Sequence, residues 1–199
     1  MNVLSTLTAI SPIDGRYRNK VESLGSYFSE FALMRYRVLV EVEYLIALIE
    51  LPLPQLSHVG REIFPSLRNI YLKFNLEHAQ QIKQIENTTN HDVKAVEYFI
   101  KHQLALLNLA HIEEFVHFGL TSQDVNNTAI PLMLKEACET LLFPQWQLLI
   151  AELEKMSITW KDVPMLAYTH GQPASPTRVG KEIKVFSYRL EKQFSALKS

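Results

Sequence analysis

Cysteine is almost absent: Cys138 is the single one in 199 residues. It cannot form an internal disulfide, nothing around it has zinc-ligand spacing, and a reducing cytoplasm is the expected setting. Glycine is scarce too, at six residues, below the usual share of about 7%, which argues against a turn-rich β architecture. Neither sign of charge dominates, with 20 Lys plus Arg against 21 Asp plus Glu, so no electrostatic footprint for nucleic acid stands out. No apolar run approaches the roughly 18 residues of a membrane span, and the N-terminus lacks the basic-then-apolar pattern of a signal peptide. What remains is an apolar fraction of 47%, ample for a buried core. The expectation is a soluble, all-α protein.

Apolar residues recur at helical spacing along most of the chain. Residues 1–19, with Ser11-Pro12-Ile13-Asp14-Gly15 as an early turn, read as an irregular arm. From Val21, one long helix is expected through Leu24, Phe28, Phe31, Met34, Val38, Val42, Leu45 and Ile49. Pro52 and Pro54 stop it, and shorter helices follow over 55–87. A second stripe, Val93, Val96, Ile100, Leu104 and Leu107, is preceded by Thr89 and Asp92 in the spacing of a hydroxyl cap followed by an acid. Thr121-Ser122-Gln123-Asp124 repeats that start, ahead of a segment that Pro131 and Pro144 should kink or interrupt. Beyond Pro164, residues 168–173 read as a polar loop, with Ser175-Pro176 opening the last helix. That helix carries Val179, Ile183, Phe186, Leu190, Phe194 and Leu197. It reaches Ser199 without a closing cap, so the chain is expected to stop part-way through a long-helix bundle. The expected division is an N-terminal helical domain, 1–111, followed by the first long helices of a bundle domain, 112–199.

Three polar clusters sit where a helix begins or a loop turns. Helix starts expose unpaired amides and the positive end of the dipole, which favours anions. Asn90, His91 and Asp92, and the pair Thr121 and Ser122, therefore suit phosphate or carboxylate contacts. Arg16, beside Tyr17, offers a planar two-pronged grip on an anion. His170, between Thr169 and Gly171, is the best-placed general acid or base, since histidine changes protonation near neutral pH. Each has a plainer reading: caps at helix starts, a simple turn at Asp14-Gly15-Arg16, a surface histidine, and Lys94 and Glu97 on a solvated face. Glu114 and His117 have the Glu-x-x-His spacing of di-iron bundles, but no second copy occurs, so no metal is expected.

Together the clusters carry more than they do singly. Ser11–Tyr17, Thr88–Phe99, His117–Asp124 and Thr169–Ala174 resemble the adenylosuccinate lyase family of the fumarase/aspartase superfamily, in order and at similar spacing, over essentially the whole chain. The last two motifs are similar across the superfamily, whereas the first two narrow the match, particularly to the bacterial form. The resemblance implies elimination of fumarate from a succinyl-amino nucleotide, a small-molecule substrate, a homotetramer, and no metal or organic cofactor. It implies substrate contacts at Arg16 and Tyr17 on the nucleotide side, at Asn90, His91 and Asp92, and at Thr121 and Ser122 around the succinyl portion. His170 matches the family's general acid, and His117 and Lys94 fall in support positions. The family's base, a serine on a glycine-rich loop, has no match here, so the chain alone is expected to be inactive. Argininosuccinate lyase, or a non-catalytic helical module, are the rival readings.

Overall fold

The structure is a computed structural model and describes residues 10–198. The first nine residues of the expected arm and the terminal Ser199 lie outside the described residues. The chain forms two compact units, Met1–Ala137 and Cys138–Ser199.

Among the described residues the first unit is built of helices. Two single turns, α1 (Arg18–Val21) and α2 (Gly25–Phe28), precede the 21-residue α3 (Glu30–Glu50). The continuous helix expected from Val21 is therefore corrected: it breaks at Ser29. There the backbone turns extended, and the Ser29 hydroxyl accepts from the Ala32 amide at 3.1 Å while donating to the Gly25 carbonyl at 2.6 Å. A serine that satisfies an orphan amide offers the chain a new start, and local capping overrides the apolar periodicity. Leu24 and Phe28, upstream of the break, stay exposed.

Downstream come α4 (Phe64–Leu72), α5 (Leu76–Thr89), α6 (Asp92–Leu106), a 3₁₀ segment at Ala110–Phe115 and α7 (Ser122–Ala137). The expected stripes meet here. Val38, Val42 and Leu45 of α3 pack with Leu67 of α4, Ile82 of α5, Phe99, Ile100 and Leu104 of α6, and Ile112. Each is essentially fully buried and stabilises the unit by roughly 1.5–3 kcal/mol relative to exposure. A second cluster, Tyr36, Ala129 and Met133, fastens α7 to α3. Pro131 lies inside α7 without ending it.

In the second unit a π turn at Cys138–Leu142 leads into α8 (Phe143–Thr159). Pro144 lacks the amide that would bond back one turn, and a widened turn accommodates its ring. Next comes a correction to the expected polar loop. Pro164–Thr169 and Gln172–Arg178 are antiparallel strands, β1 and β2, joined by His170-Gly171. Both turn residues have positive φ, 52° and 74°, as a two-residue hairpin turn matching the strand twist requires. The register slips between Leu166 and Tyr168, leaving one extra residue in β2 near Ala174 and Ser175, a bulge that eases prolines 173 and 176 into a two-stranded sheet. Ser175-Pro176 thus opens no helix; α9 runs Val179–Lys198.

The two long helices run antiparallel. Lys184 bonds Glu154, while Phe194, further along α9, meets Phe143 and Trp146 at the start of α8, at ring separations of 5.4 and 5.8 Å. At the other end the backbones nearly touch, and Gly180 donates to the Trp160 carbonyl at 3.0 Å. A Cβ on Gly180 would lie 2.2 Å from the Ser157 carbonyl oxygen and 2.7 Å from the Lys161 backbone nitrogen. Neither atom is the end of a flexible side chain, so Gly180→Ala forces the helices apart, at a cost of about 1–3 kcal/mol. Amide exchange should accelerate across α8 and α9 while the first unit's core amides keep their protection; unchanged exchange in α8 would contradict this packing.

Candidate active site

The helix starts fold differently from the hydroxyl-cap expectation. Thr89 closes α5, and Asn90 follows in the left-handed conformation, φ 50°. The cap of α6 is His91, whose Nδ1 accepts from the Lys94 amide at 3.1 Å. This fixes the ring, with Nε2 pointing away from its own helix. Nε2 lies 3.4 Å from the Ser122 hydroxyl at the start of α7. Two clusters 31 residues apart therefore meet, and the ends of 15- and 16-residue helices bring their positive dipole poles to one place.

Asp92 is held there as an anion. Burial pushes its carboxyl up, but the Val93 amide at 2.8 Å and the Arg37 guanidinium at 2.8 Å outweigh it, leaving the group below the usual range. At α7, the Thr121 amide and hydroxyl both donate to Asp124, at 2.7 and 2.8 Å. These bonds pull the Asp124 carboxyl down. Thr121 thus spends its hydroxyl proton on its own helix, while Ser122 retains a hydroxyl beside His91.

The plain reading of Lys94 and Glu97 as a solvated face gives way. Glu97 is buried, bridged by Lys94 at 2.8 Å and Lys101 at 3.4 Å. His117, with φ 60°, places Nδ1 2.5 Å from Glu41 of α3. Glu114 faces another way, paired to Lys101 at 3.3 Å.

Three residues of α3 that the sequence motifs do not include organise the cluster. Arg37, buried on α3, grips Asp92 with Nη2 and Asn126 of α7 with Nε at 2.9 Å. Glu41, fully buried, holds His117, and Tyr44 donates to the Phe118 carbonyl at 2.9 Å. Positions 37, 41 and 44 stand i, i+4 and i+7, a polar row flanking the apolar stripe of α3. That interleaving is visible in the sequence and was the available signal.

Arg16 and Tyr17 are not gathered in. The Arg16 guanidinium stacks over Tyr17, 5.4 Å from the ring centre, with both side chains exposed. Among the described residues no hydrogen bond or ion pair joins them to His91 or Ser122. His170 belongs to the second unit, exposed at the hairpin tip.

Comparison with known proteins gives this arrangement a context. A chain titled fumarate lyase, from Mesorhizobium sp. BNC1, superposes with a TM-score of 0.69 at 18% identity, covering 90% of this chain and 39% of that one. That likeness speaks for the fold alone. In sequence, the adenylosuccinate lyase of Dictyostelium discoideum is 56% identical over 199 residues, and that of Escherichia coli K12 is 43% identical over 196. Both alignments take in 98% of this chain and 43% of the relative, so the chain spans less than half the length of the curated relatives it matches. A family model described as lyase matches residues 15–199, a stretch that takes in both helix-start clusters and the hairpin histidine, and the chain belongs to that lyase family.

Proposed function

We propose that this chain is part of an adenylosuccinate lyase of purine biosynthesis. It would release fumarate from adenylosuccinate, giving AMP, and from succinylated aminoimidazole-carboxamide ribotide, giving the free carboxamide ribotide. The observation that carries this reading is the meeting of His91 and Ser122 at two convergent helix starts. Such a place suits an anionic succinyl or phosphate group, and the identity with adenylosuccinate lyases supplies the chemistry.

The reaction is a β-elimination. A base removes a proton from the carbon beside a carboxylate, charge builds on that carboxylate, and the C–N bond breaks. At the start of α7 the Ser122 hydroxyl is a donor suited to the growing charge, and Thr121, its own protons committed to Asp124, stands beside it at the succinyl portion. Asn90, His91 and Asp92 position the substrate from α6, and Arg16 and Tyr17 contact its nucleotide side. His170 protonates the departing amine as general acid. The base is a serine outside the sequence in hand. We place residues 1–111 in the substrate-binding helical domain and 112–199 in the helical-bundle domain of a cytoplasmic homotetramer, with no cofactor, nucleic acid or membrane involved. Large apolar side chains exposed in the second unit, including Leu148, Ile158, Phe186 and Leu197, support an assembly that covers them. No helix of the described residues is long and apolar enough to cross a membrane.

The test joins this chain to the remaining C-terminal portion of the Dictyostelium relative and assays fumarate. The joined polypeptide should form fumarate from adenylosuccinate and none from argininosuccinate, and the 199-residue chain alone should form none. Cleavage by the chain alone, or an inactive but folded chimera, overturns the reading.

A further inference from the structure

We propose that Glu41 is a positioning residue of this site, acting through His117. The inference rests on the lyase reading for its enzymatic consequence, but its structural half stands separately.

Glu41 has no exposed surface, and its neighbours along α3, Val38, Val42 and Leu45, are core residues. An apolar side chain there would extend the stripe without desolvating a charge, so packing alone gives no reason for a carboxylate. Oε1 meets His117 Nδ1 at 2.5 Å, while Oε2 has no hydrogen-bond partner among the described residues. Burial pushes the Glu41 carboxyl up and the nearby Glu97 carboxylate adds to this, against the opposing pull of His117. The groups facing the pair are Glu97, itself bridged by Lys94 and Lys101, and Asp124 beyond His117.

His117 is itself held in an uncommon state. Its φ of 60° is left-handed, a conformation that persists only where surroundings over-determine it. Tyr44 on Phe118, and the Leu120 amide on the His117 carbonyl at 3.2 Å, secure that turn. With Nδ1 engaged by Glu41, tautomer and ring direction are set, and the imidazole lies close enough to the start of α7 to help pull the Asp124 carboxyl down. This is how a buried carboxylate orients a working imidazole. Two neighbouring turns of α3 therefore fix the site from beneath, Arg37 through Asp92 and Asn126, Glu41 through His117.

The first measurement needs no turnover. In the 199-residue chain labelled with ¹⁵N-histidine, His117 should show a protected Nδ1 proton far downfield, assigned by its loss in His117→Gln. In Glu41→Gln that proton should move upfield or vanish. A folded wild-type chain without it, or a Glu41→Gln spectrum in which it is unmoved, overturns the proposal; the wild-type arm decides even if the variant misfolds. In the joined enzyme, Glu41→Gln should lower kcat at least tenfold with KM within about threefold. Unchanged kcat in an active parent also overturns it. An inactive parent sinks the lyase reading, while the proton signal still decides whether Glu41 holds the ring.

Discussion

Replacing His170 by Asn in the joined enzyme should lower kcat by roughly 10²–10⁴-fold, the usual worth of a positioned general acid. Asparagine is the cleaner substitution for a structural reason. His170 sits at φ 52° in the two-residue turn between β1 and β2, followed by Gly171 at 74°. Asn, like His and Asp, is enriched in the left-handed region, whereas Gln is not. His170→Gln would therefore mix loss of the acid with strain in the hairpin. If both variants lose turnover but only Gln lowers the melting temperature, chemistry and backbone are separated. Near-normal kcat in His170→Asn would remove the assignment, and His117 or His91 would then have to be tested as the acid.

The same turn shows why part of the fold was hidden from the sequence. Positive φ is not encoded in periodicity, and only Gly171 hinted at it. The prolines of 173 and 176 suggested a loop and a helix start, because proline is rare in strands; a bulge in a two-stranded sheet removes that objection. The core stripes were legible, since Val38, Val42, Leu45, Val96, Ile100 and Leu104 obey the helical period that burial imposes. The break at Ser29 was not, because a single cap competes locally with a pattern spread over thirty residues. In the candidate site, the helix-start residues were found as types. The pairing of His91 with Ser122 is tertiary and had no sequence trace. Arg37 and Glu41 sit within an apolar run, and spacing alone does not distinguish a buried clamp from a solvated charge beside the stripe.

Arg37→Met should be the most damaging single change in the first unit outside its apolar core. The thioether follows part of the arginine stem, so little volume is lost, but two bonds go with the guanidinium. Asn126 Oδ1 loses its donor, Asp92 loses its cation, and the link between α6 and α7 through α3 is cut. Arg37 is buried, whereas the Asp92 side chain is 51% exposed, so solvent screens part of the ion pair. The stranded amide oxygen and weakened pair together cost on the order of 2 kcal/mol, enough to lower the melting temperature by several degrees. The pH dependence has a definite sign. The folded-state carboxyl of Asp92 is depressed, so its contribution is present above the unfolded range near pH 4 and is lost as pH falls through the folded value. Wild type and Arg37→Met should differ most near neutrality and converge in acid. In the joined enzyme, tilting α6 against α7 by a fraction of an ångström to an ångström should reduce kcat/KM by up to about 10²-fold. Melting curves that stay parallel from pH 7 to pH 3 would show that Arg37 does not hold Asp92. A normal kcat/KM would show that the clamp does not serve the site.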